Sequence, residues 1–297
     1  MWVENLLGSE VVASATQHGG FSPGVASRLR FAHGGRAFVK AVSADVNIQS
    51  AALHRRERSV SSAMPRRAPV PELLGALDND GWVALVYTDV EGRHPGEPVW
   101  TRDEAVTMLR GLRQLHQVLT PAPLSDVPSL GEQRTEIFGG WARLAALQVE
   151  VPDVWCARNL ARIVEWESYW TEAATGDTLL HGDLRSDNML LTSGGMQFVD
   201  WAWACRGAAW FDVAAMAPSI AARGGPPPEW LMETYGVDAA DADAVTAVVA
   251  AVAGYFTEQA GRPDPPGIHG LRRFQAQQGS VARAWLQARL ERGTDLS

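Results

Sequence analysis

The patterning of this 297-residue chain changes character once, near residue 92, and that change limits the folds open to it. Before it, the sequence reads as strands with one helix; after it, as helices with one short strand-like insert. Strands and helices segregated in this way imply an α+β fold in two unequal parts, divided as residues 1–92 and 93–297. In the first part, Ser27–Ala32 and Arg36–Val42 flank His33-Gly34-Gly35, which signals a hairpin. Ser50–Met64 reads as a helix whose Arg55, Arg56 and Arg58 are expected to form a solvated face, and Gly81–Val90 reads as a strand. The run Glu91-Gly92-Arg93-His94-Pro95-Gly96 then ends the pattern.

In the second part, Thr101 with Glu104 forms a capping box ahead of Val106, Leu109, Leu112 and Leu115, which repeat at helical spacing. His116 on that helix reads as structural. A Pro-rich connection covers Thr120–Pro128, and Trp155–Ala174 reads as one helix stopping at Gly176. The remainder reads as Ala-rich helix broken at Gly224–Pro228 and Pro263–Gly267, ending in an amphipathic helix over Leu271–Leu290.

Composition narrows the function classes. There are 26 basic against 34 acidic side chains, and a chain of net charge −8 lacks the basic footprint of a nucleic-acid binder. The longest Ala/Val-rich run, Ala244–Phe256, reads as too short to span a bilayer, and the opening Met1-Trp2-Val3-Glu4 lacks a basic n-region. The expectation is a cytoplasmic protein without a membrane span. Cys156 and Cys205 support neither a disulfide framework nor a zinc site and read as core thiols. Of the 26 basic residues 25 are arginine, so Lys40, the single lysine, asks what chemistry requires it. It sits in the second strand of the hairpin and shares a face with Phe38 and Val42.

The chemistry concentrates in Leu179–Trp201, LLHGDLRSDNMLLTSGGMQFVDW. Met189–Leu191 and Met196–Val199 are strand-like and are separated by turn residues, so they form an antiparallel hairpin. With residues 193–195 as the loop, Thr192 faces Met196 and Asn188 faces Asp200, to within one residue. An amide oxygen and a carboxylate converging there suit a hard cation such as Mg²⁺, which takes few protein ligands. Asp183, on the loop entering the hairpin, is placed to take a proton from an alcohol. A rival motif, Gly20-Phe21-Ser22-Pro23-Gly24, fits the G-x-S-x-G of hydrolases. It fails physically: the residue after the serine must donate a backbone N–H, and Pro23 has none.

The pattern His181-Gly182-Asp183, Asn188, then Asp200-Trp201 resembles the aminoglycoside phosphotransferase and choline kinase family. The resemblance implies a bilobal protein-kinase-like fold, a small sheet lobe with one helix and a larger helical lobe, using ATP and Mg²⁺. It implies Asp183 as the catalytic base, Asn188 and Asp200 as metal ligands, and Lys40 on the ATP phosphates, paired with Glu57. Gly19–Gly24, with Ser22 and Gly24, resembles the phosphate-covering loop. Thr88 and Val90 match the adenine-binding hinge, with Tyr87 at the gate. Arg185 stands where protein kinases carry a catalytic-loop lysine, and either neutralises the transferring phosphoryl group or forms a structural salt bridge. Ala202 departs from the family, many of whose members have an acidic residue there, and Asp212 matches a buried, structural helix-start Asp. Trp201, Trp203 and Trp210 read as core, although Trp201 and Trp203 at the cleft edge could stack on an acceptor.

Only eleven residues separate Asp200 from Asp212, which leaves no room for a protein-kinase activation segment ending in A-P-E. Gly182 also stands where protein kinases have the Arg that receives an activation-loop phosphate. The resemblance therefore implies a small-molecule hydroxyl acceptor, an antibiotic first and a primary metabolite (choline, sugar or amino alcohol) second. A nucleotide-binding pseudokinase is the third reading, and an oligomeric state is not implied. Seven late acids, Glu229, Glu233, Asp238, Asp241, Asp243, Glu258 and Asp264, either form a wall that attracts a polycation such as an aminoglycoside or solvate helix ends. The tryptophans would equally suit a nucleoside or another aromatic antibiotic.

Overall fold

The computed structural model describes residues 2–17, 24–151, 153–265 and 270–292. Strands β1 (Val11–Thr16), β2 (Val25–Phe31), β3 (Arg36–Ser43), β4 (Leu73–Asn79) and β5 (Trp82–Thr88) form one antiparallel sheet in the order β1-β2-β3-β5-β4. The expected hairpin is β2–β3, closed through Gly34 at φ 86°. β4 and β5 are joined by Asp80-Gly81, both at positive φ (49° and 76°), the backbone that a two-residue hairpin turn demands. β3 is central, so Lys40 is flanked by Ala26 on β2 and Leu85 on β5.

Alternation along β3 decides which helix covers which face. Ala37 and Val39 turn towards α1 (Trp2–Leu7), whose Trp2, Val3 and Leu7 pack on a cluster with Phe31 and Val86. The expectation of a single helix before residue 92 missed this six-residue element. Val42 turns the other way, onto Ala51 of α2 (Ile48–Ser62), and Lys40 shares that face.

α3 (Arg102–Val118) opens with the expected capping box and buries Met108, Leu109, Leu112 and Leu115. α4 (Leu130–Arg134) and α5 (Gly140–Ala146) follow. The stretch read as one helix over Trp155–Ala174 is three: α6 (Val154–Arg158), α7 (Leu160–Ser168) and α8 (Trp170–Ala173). The breaks fall at Asn159, whose Nδ2 donates to the Trp155 carbonyl at 2.8 Å, and at Tyr169. Each break re-aims the chain, so Cys156, Ile163 and Trp170 are all buried.

β6 (Thr178–Leu180) pairs with β9 (Cys205–Gly207), and between them lies the hairpin of β7 (Met189–Thr192) and β8 (Gly195–Phe198). This hairpin rests on α3, where a Cβ on Gly111 would lie 3.0 Å from Cβ of Met196. It also pairs with the segment leaving the five-stranded sheet: Arg93 N donates to Leu191 O at 3.1 Å, and Leu191 N to Arg93 O at 2.8 Å.

α9 (Phe211–Ala222), α10 (Pro228–Tyr235), α11 (Ala242–Ala260) and α12 (Leu271–Arg292) complete the described chain, with a break at Gly236 (φ 86°) that the sequence reading did not mark. The helical run Ala239–Ala260 is longer than the apolar run suggested and, at 22 residues and a mean hydropathy of 1.4, could cross a bilayer by length and composition. It serves instead as a core helix: α5, α7, α8, α9 and α12 pack around it, and Val248, Val249, Ala250 and Ala251 are fully buried. α5 approaches so closely that a Cβ on Gly140 would collide with the backbone of Gly254.

Candidate active site

Lys40 on β3 and Glu57 on α2 face each other because the sheet face that carries Val42 is the face α2 covers. Lys40 Nζ donates to Glu57 Oε2 at 2.7 Å and to Asp200 Oδ1 at 2.9 Å. Burial alone would lower the Lys40 pKa, but the two carboxylates outweigh it and hold the ammonium above its ordinary value. Glu57 is 2 % exposed, and its second oxygen accepts from the Tyr87 hydroxyl at 3.1 Å. Tyr87, expected at the gate, therefore braces the ion pair. His54, one turn earlier on α2, is buried and pushed down to about 4, first by burial and then by Lys40.

The loop after β6 is anchored from below. Asp212, in the first turn of α9 and 1 % exposed, accepts from His181 N at 2.8 Å and from Gly182 N at 3.0 Å. Burial would raise its pKa, yet the hydrogen bond and charge of His116 keep it below the ordinary carboxylate value. His116 in turn meets the Tyr235 hydroxyl at 2.7 Å, so its structural reading holds. Gly182 has φ 76°, and a side chain there would collide with the Trp203 carbonyl. An arginine at this position is excluded by space as well as by backbone conformation.

Asp183 emerges from this loop with a third of its side chain exposed. Burial raises its pKa, opposed chiefly by Arg185. Arg185 grips Asp187 with two bonds of 3.0 and 2.7 Å and keeps Nη1 3.6 Å from Asp183 Oδ2. Both earlier readings of Arg185 thus have a geometric basis: it forms a salt bridge, and it lies beside the candidate base.

Asn188 ends a 3₁₀ turn, and its Nδ2 donates to the Asp183 carbonyl at 2.8 Å, which turns the amide oxygen the other way. The hairpin loop is two residues, not three: Thr192 pairs with Gly195 and Met189 with Phe198. The Thr192 hydroxyl closes the turn by donating to Gly195 O at 2.8 Å. Asn188 therefore faces Val199, whose N–H donates to the Asn188 carbonyl at 3.0 Å, and Asp200 lies one residue beyond. A left-handed backbone at Asp200 (φ 68°, ψ 67°) brings its carboxylate back over the cleft to Lys40. That conformation costs about 1 kcal/mol or more in a non-glycine residue, and such strain gathers at functional positions. Asn188 and Asp200 fit a divalent cation: one offers an amide oxygen fixed by its own nitrogen, and the other a carboxylate held ionised by Lys40 against the effect of burial.

Other expected positions fare unequally. Ser22 and the rest of the Gly19–Pro23 loop lie outside the described residues. Gly24 approaches β3 so closely that a Cβ would sit 2.8 Å from Ala41 O. Thr88 is tied to Glu72 through its N–H and its hydroxyl, at 2.9 and 3.0 Å, and the Val90 carbonyl accepts from Arg28 at 3.1 Å. An adenine ring would therefore have to use other backbone groups of this segment. Trp201 is 2 % exposed, donates its indole N–H to Phe198 O and packs on the His181 ring at 4.8 Å, so it presents no face to an acceptor. Trp203 is half-buried, with the Arg134 guanidinium 5.5 Å from its ring centroid.

Of the seven late acids, two are answered by arginines and two cap local backbone. Glu229 is bound by Trp285, Arg289 and Arg292, and Glu258 by Arg143 and Arg262. Asp264 accepts from the N–H groups of Gly270 and Arg272, and Asp238 from that of Ala240. Sequence reading also missed Tyr255 of α11, which lies within reach of the charges of Arg134 and Asp183 and accepts from Gln275 at 3.4 Å. No local signal marks it, because its position depends on how α11 and α12 pack.

A family model described as a phosphotransferase enzyme family matches residues 20–252, well over half the chain. Among solved structures, a spectinomycin phosphotransferase in complex with ADP and spectinomycin is 13 % identical, with a TM-score of 0.59 and coverage of 95 % of this chain and 97 % of that one. An amicoumacin kinase in complex with AMP-PNP and Ca²⁺ is 10 % identical, with a TM-score of 0.56 and coverage of 91 % and 88 %. A putative fructosamine-3-kinase from Haemophilus somnus is 12 % identical, with a TM-score of 0.55 and coverage of 95 % and 94 %. At these identities the likeness is one of fold. None of the curated proteins matches the chain.

Proposed function

The chain belongs to the phosphotransferase enzyme family and has its kinase-like fold, and from that premise we propose that it transfers the γ-phosphoryl group of ATP to a hydroxyl of a small molecule. The carrying observation is the Lys40 ammonium held between Glu57 and Asp200, on the same cleft as Asp183. Lys40 would bind the ATP phosphates, and Asn188 with Asp200 would hold Mg²⁺, which when bound screens the phosphate charge. Asp183 would orient the acceptor hydroxyl and take its proton, a role that needs hydrogen-bond reach more than an extreme pKa. Arg185 would neutralise charge developing on the phosphoryl group, and backbone around Thr88 and Val90 would receive the adenine. We further propose that residues 1–92 serve the nucleotide and 93–297 the acceptor, and that an ATP-dependent reaction belongs in the cytoplasm.

For the acceptor we propose an antibiotic hydroxyl, with resistance as the consequence. Pairing of Glu229 and Glu258 with arginine weakens the case for recognition of a polycation, and Trp203 beside Arg134, with Tyr255 within reach of the charges of Arg134 and Asp183, favours an acceptor with an apolar or aromatic body. The likeness to a putative fructosamine-3-kinase supports a metabolite hydroxyl as the second reading. The test is a coupled ATP-turnover assay with Mg²⁺ against aminoglycosides, macrolides, nucleoside and peptide antibiotics, choline and sugars, with Asp183→Ala as control. Turnover stimulated by one compound and lost in the variant is the expected result. Absence of any Mg·ATP binding would sink the proposal.

A further inference from the structure

Three segments must meet for this reaction: α2 with Glu57, the loop with Asp183, and the turn that follows Asp200. The five-residue helix α4 reaches all of them through two adjacent side chains. Gln133 Nε2 donates to the Trp203 carbonyl, and Arg134 Nη2 to the Gly182 carbonyl. Arg56, the chain neighbour of Glu57 on α2, donates from one terminal nitrogen both to Gln133 Oε1 and, at 2.8 Å, to the Ala204 carbonyl. Hydrogen bonds therefore link the helix that carries Glu57 to the turn after Asp200, and the α4 backbone between Gln133 and Arg134 carries the link on to the loop before Asp183. The expectation that Arg56 belongs to a solvated face is wrong for this residue: it is half-buried between the two parts of the molecule, while Arg55 does lie on the surface, paired with Asp78.

We propose that Arg56, seated on Gln133 and the Ala204 carbonyl, is a positioning residue that keeps Glu57 against Lys40 and so holds the nucleotide site permanently assembled; the inference rests on the phosphotransferase reading. In protein kinases the Lys–Glu pair and the metal-binding Asp are brought into place by the activation segment and the movement of the helix carrying the Glu. Here eleven residues between Asp200 and Asp212 leave no such segment, and Gly182 has no room for a side chain. Assembly then has to come from a fixed device. A guanidinium suits it, since one terminal nitrogen carries two hydrogens in a plane and serves two acceptors at once. A purely structural bracket would lower stability when cut, whereas a positioning bracket also acts on nucleotide affinity, and only through Glu57.

The experiment is calorimetric titration of Mg·AMP-PNP into the full chain and into Arg56→Ala, Arg56→Lys, Glu57→Gln and the Arg56→Ala/Glu57→Gln double variant, with the Tm of each. We expect Arg56→Ala to weaken binding about tenfold, within the usual range for coupled sites, and Arg56→Lys to recover part of the loss. In the Glu57→Gln background the same Arg56→Ala change should cost under about twofold, because the contact it supports is already gone. Should Arg56→Ala fail to fold, Gln133→Ala removes one of its two acceptors and should weaken binding roughly threefold. Unchanged affinity in the variant that folds, or a full tenfold loss repeated in the Glu57→Gln background, would overturn the inference. A wild-type chain that does not bind Mg·AMP-PNP would instead take down the phosphotransferase reading on which it rests.

Discussion

The two sides of the cleft are built on opposite plans. On the sheet side, Glu57 is buried and Lys40 mostly so, and the two answer each other, with Asp200 and Tyr87 completing their partners. On the helical side, Asp183, Arg185 and Asp187 are each about a third or more exposed, and of the late acids Glu229 and Glu258 are paired with arginines. The difference teaches where specificity can vary. A preassembled, desolvated array suits one invariant ligand such as a nucleotide, and a wetter rim can be rebuilt for different acceptors.

The largest expected effect tests that division directly. Asp183→Asn should lower the rate of phosphoryl transfer by about 10²- to 10⁴-fold, the range for a lost general base. Nucleotide affinity should change less than about threefold, because Asp183 belongs to the other side of the cleft. Rapid-quench transfer rates and AMP-PNP titration check both halves. Loss of nucleotide binding in this variant would show that the two sides do not act separately.

This division also governs what could be read from the sequence. Lys40, Asn188, Asp200 and Asp183 were legible because strand alternation and short hairpins are local rules: Lys40 sits on an alternating strand, the other three lie just before and after a short hairpin, and together they match a family's motif. The hairpin register was off by one because Ser193-Gly194 alone make the turn, with Thr192 closing it, and four turn-like residues cannot reveal which two do so. The left-handed backbone of Asp200 carries no residue signal at all. Nor do the Arg56–Gln133 contact, 77 residues apart in the chain, or Arg143–Glu258, 115 apart, since their existence depends on helix packing. Long-range arginine partners answer Glu229 and Glu258, two of the seven acids that read as a wall.

The second prediction concerns the anchor that joins the two plans. Asp212 is ionised, 1 % exposed and holds two backbone N–H groups of the Asp183 loop. Asp212→Ala should destabilise the fold by about 3–5 kcal/mol, because it leaves those donors and His116 without their partner in the interior. Chemical denaturation measures it. A loss below about 1 kcal/mol would mean that the loop is held elsewhere.

A third contrast is electrostatic and confined to the helical part. Glu167 of α7 accepts from Trp141 N at 3.1 Å and Ala142 N at 2.9 Å, capping α5, whose N-cap is Gly139. Burial pushes it up to about 7 from an ordinary value of 4.5. The folded state therefore binds the proton more tightly than the unfolded one, and stability falls as pH rises from about 4.5 to about 7 and then levels off. The full shift corresponds to at most about 3 kcal/mol. Glu167→Gln should remove this slope, so that its stability relative to wild type improves by about 1–3 kcal/mol between pH 5 and pH 8. Parallel pH profiles of the two proteins would refute the assignment.

The smallest expected effect sharpens the comparison most. If late acids recognised a cationic acceptor, neutralising one of them would raise the KM for that acceptor about tenfold or more, as loss of a charge-assisted bond does. Glu258 cannot play that part while Arg143 holds it at 2.9 and 2.5 Å and Arg262 at 2.7 Å; these bonds also keep its pKa below the ordinary value. Glu258→Gln should therefore change acceptor KM by less than about twofold and lower stability by roughly 1–3 kcal/mol, the value of hydrogen bonds to charged groups at a partly buried site. A tenfold rise in KM with unchanged Tm would reverse the argument, because it would mean that the acceptor displaces Arg143 and that the rim is acidic when it matters.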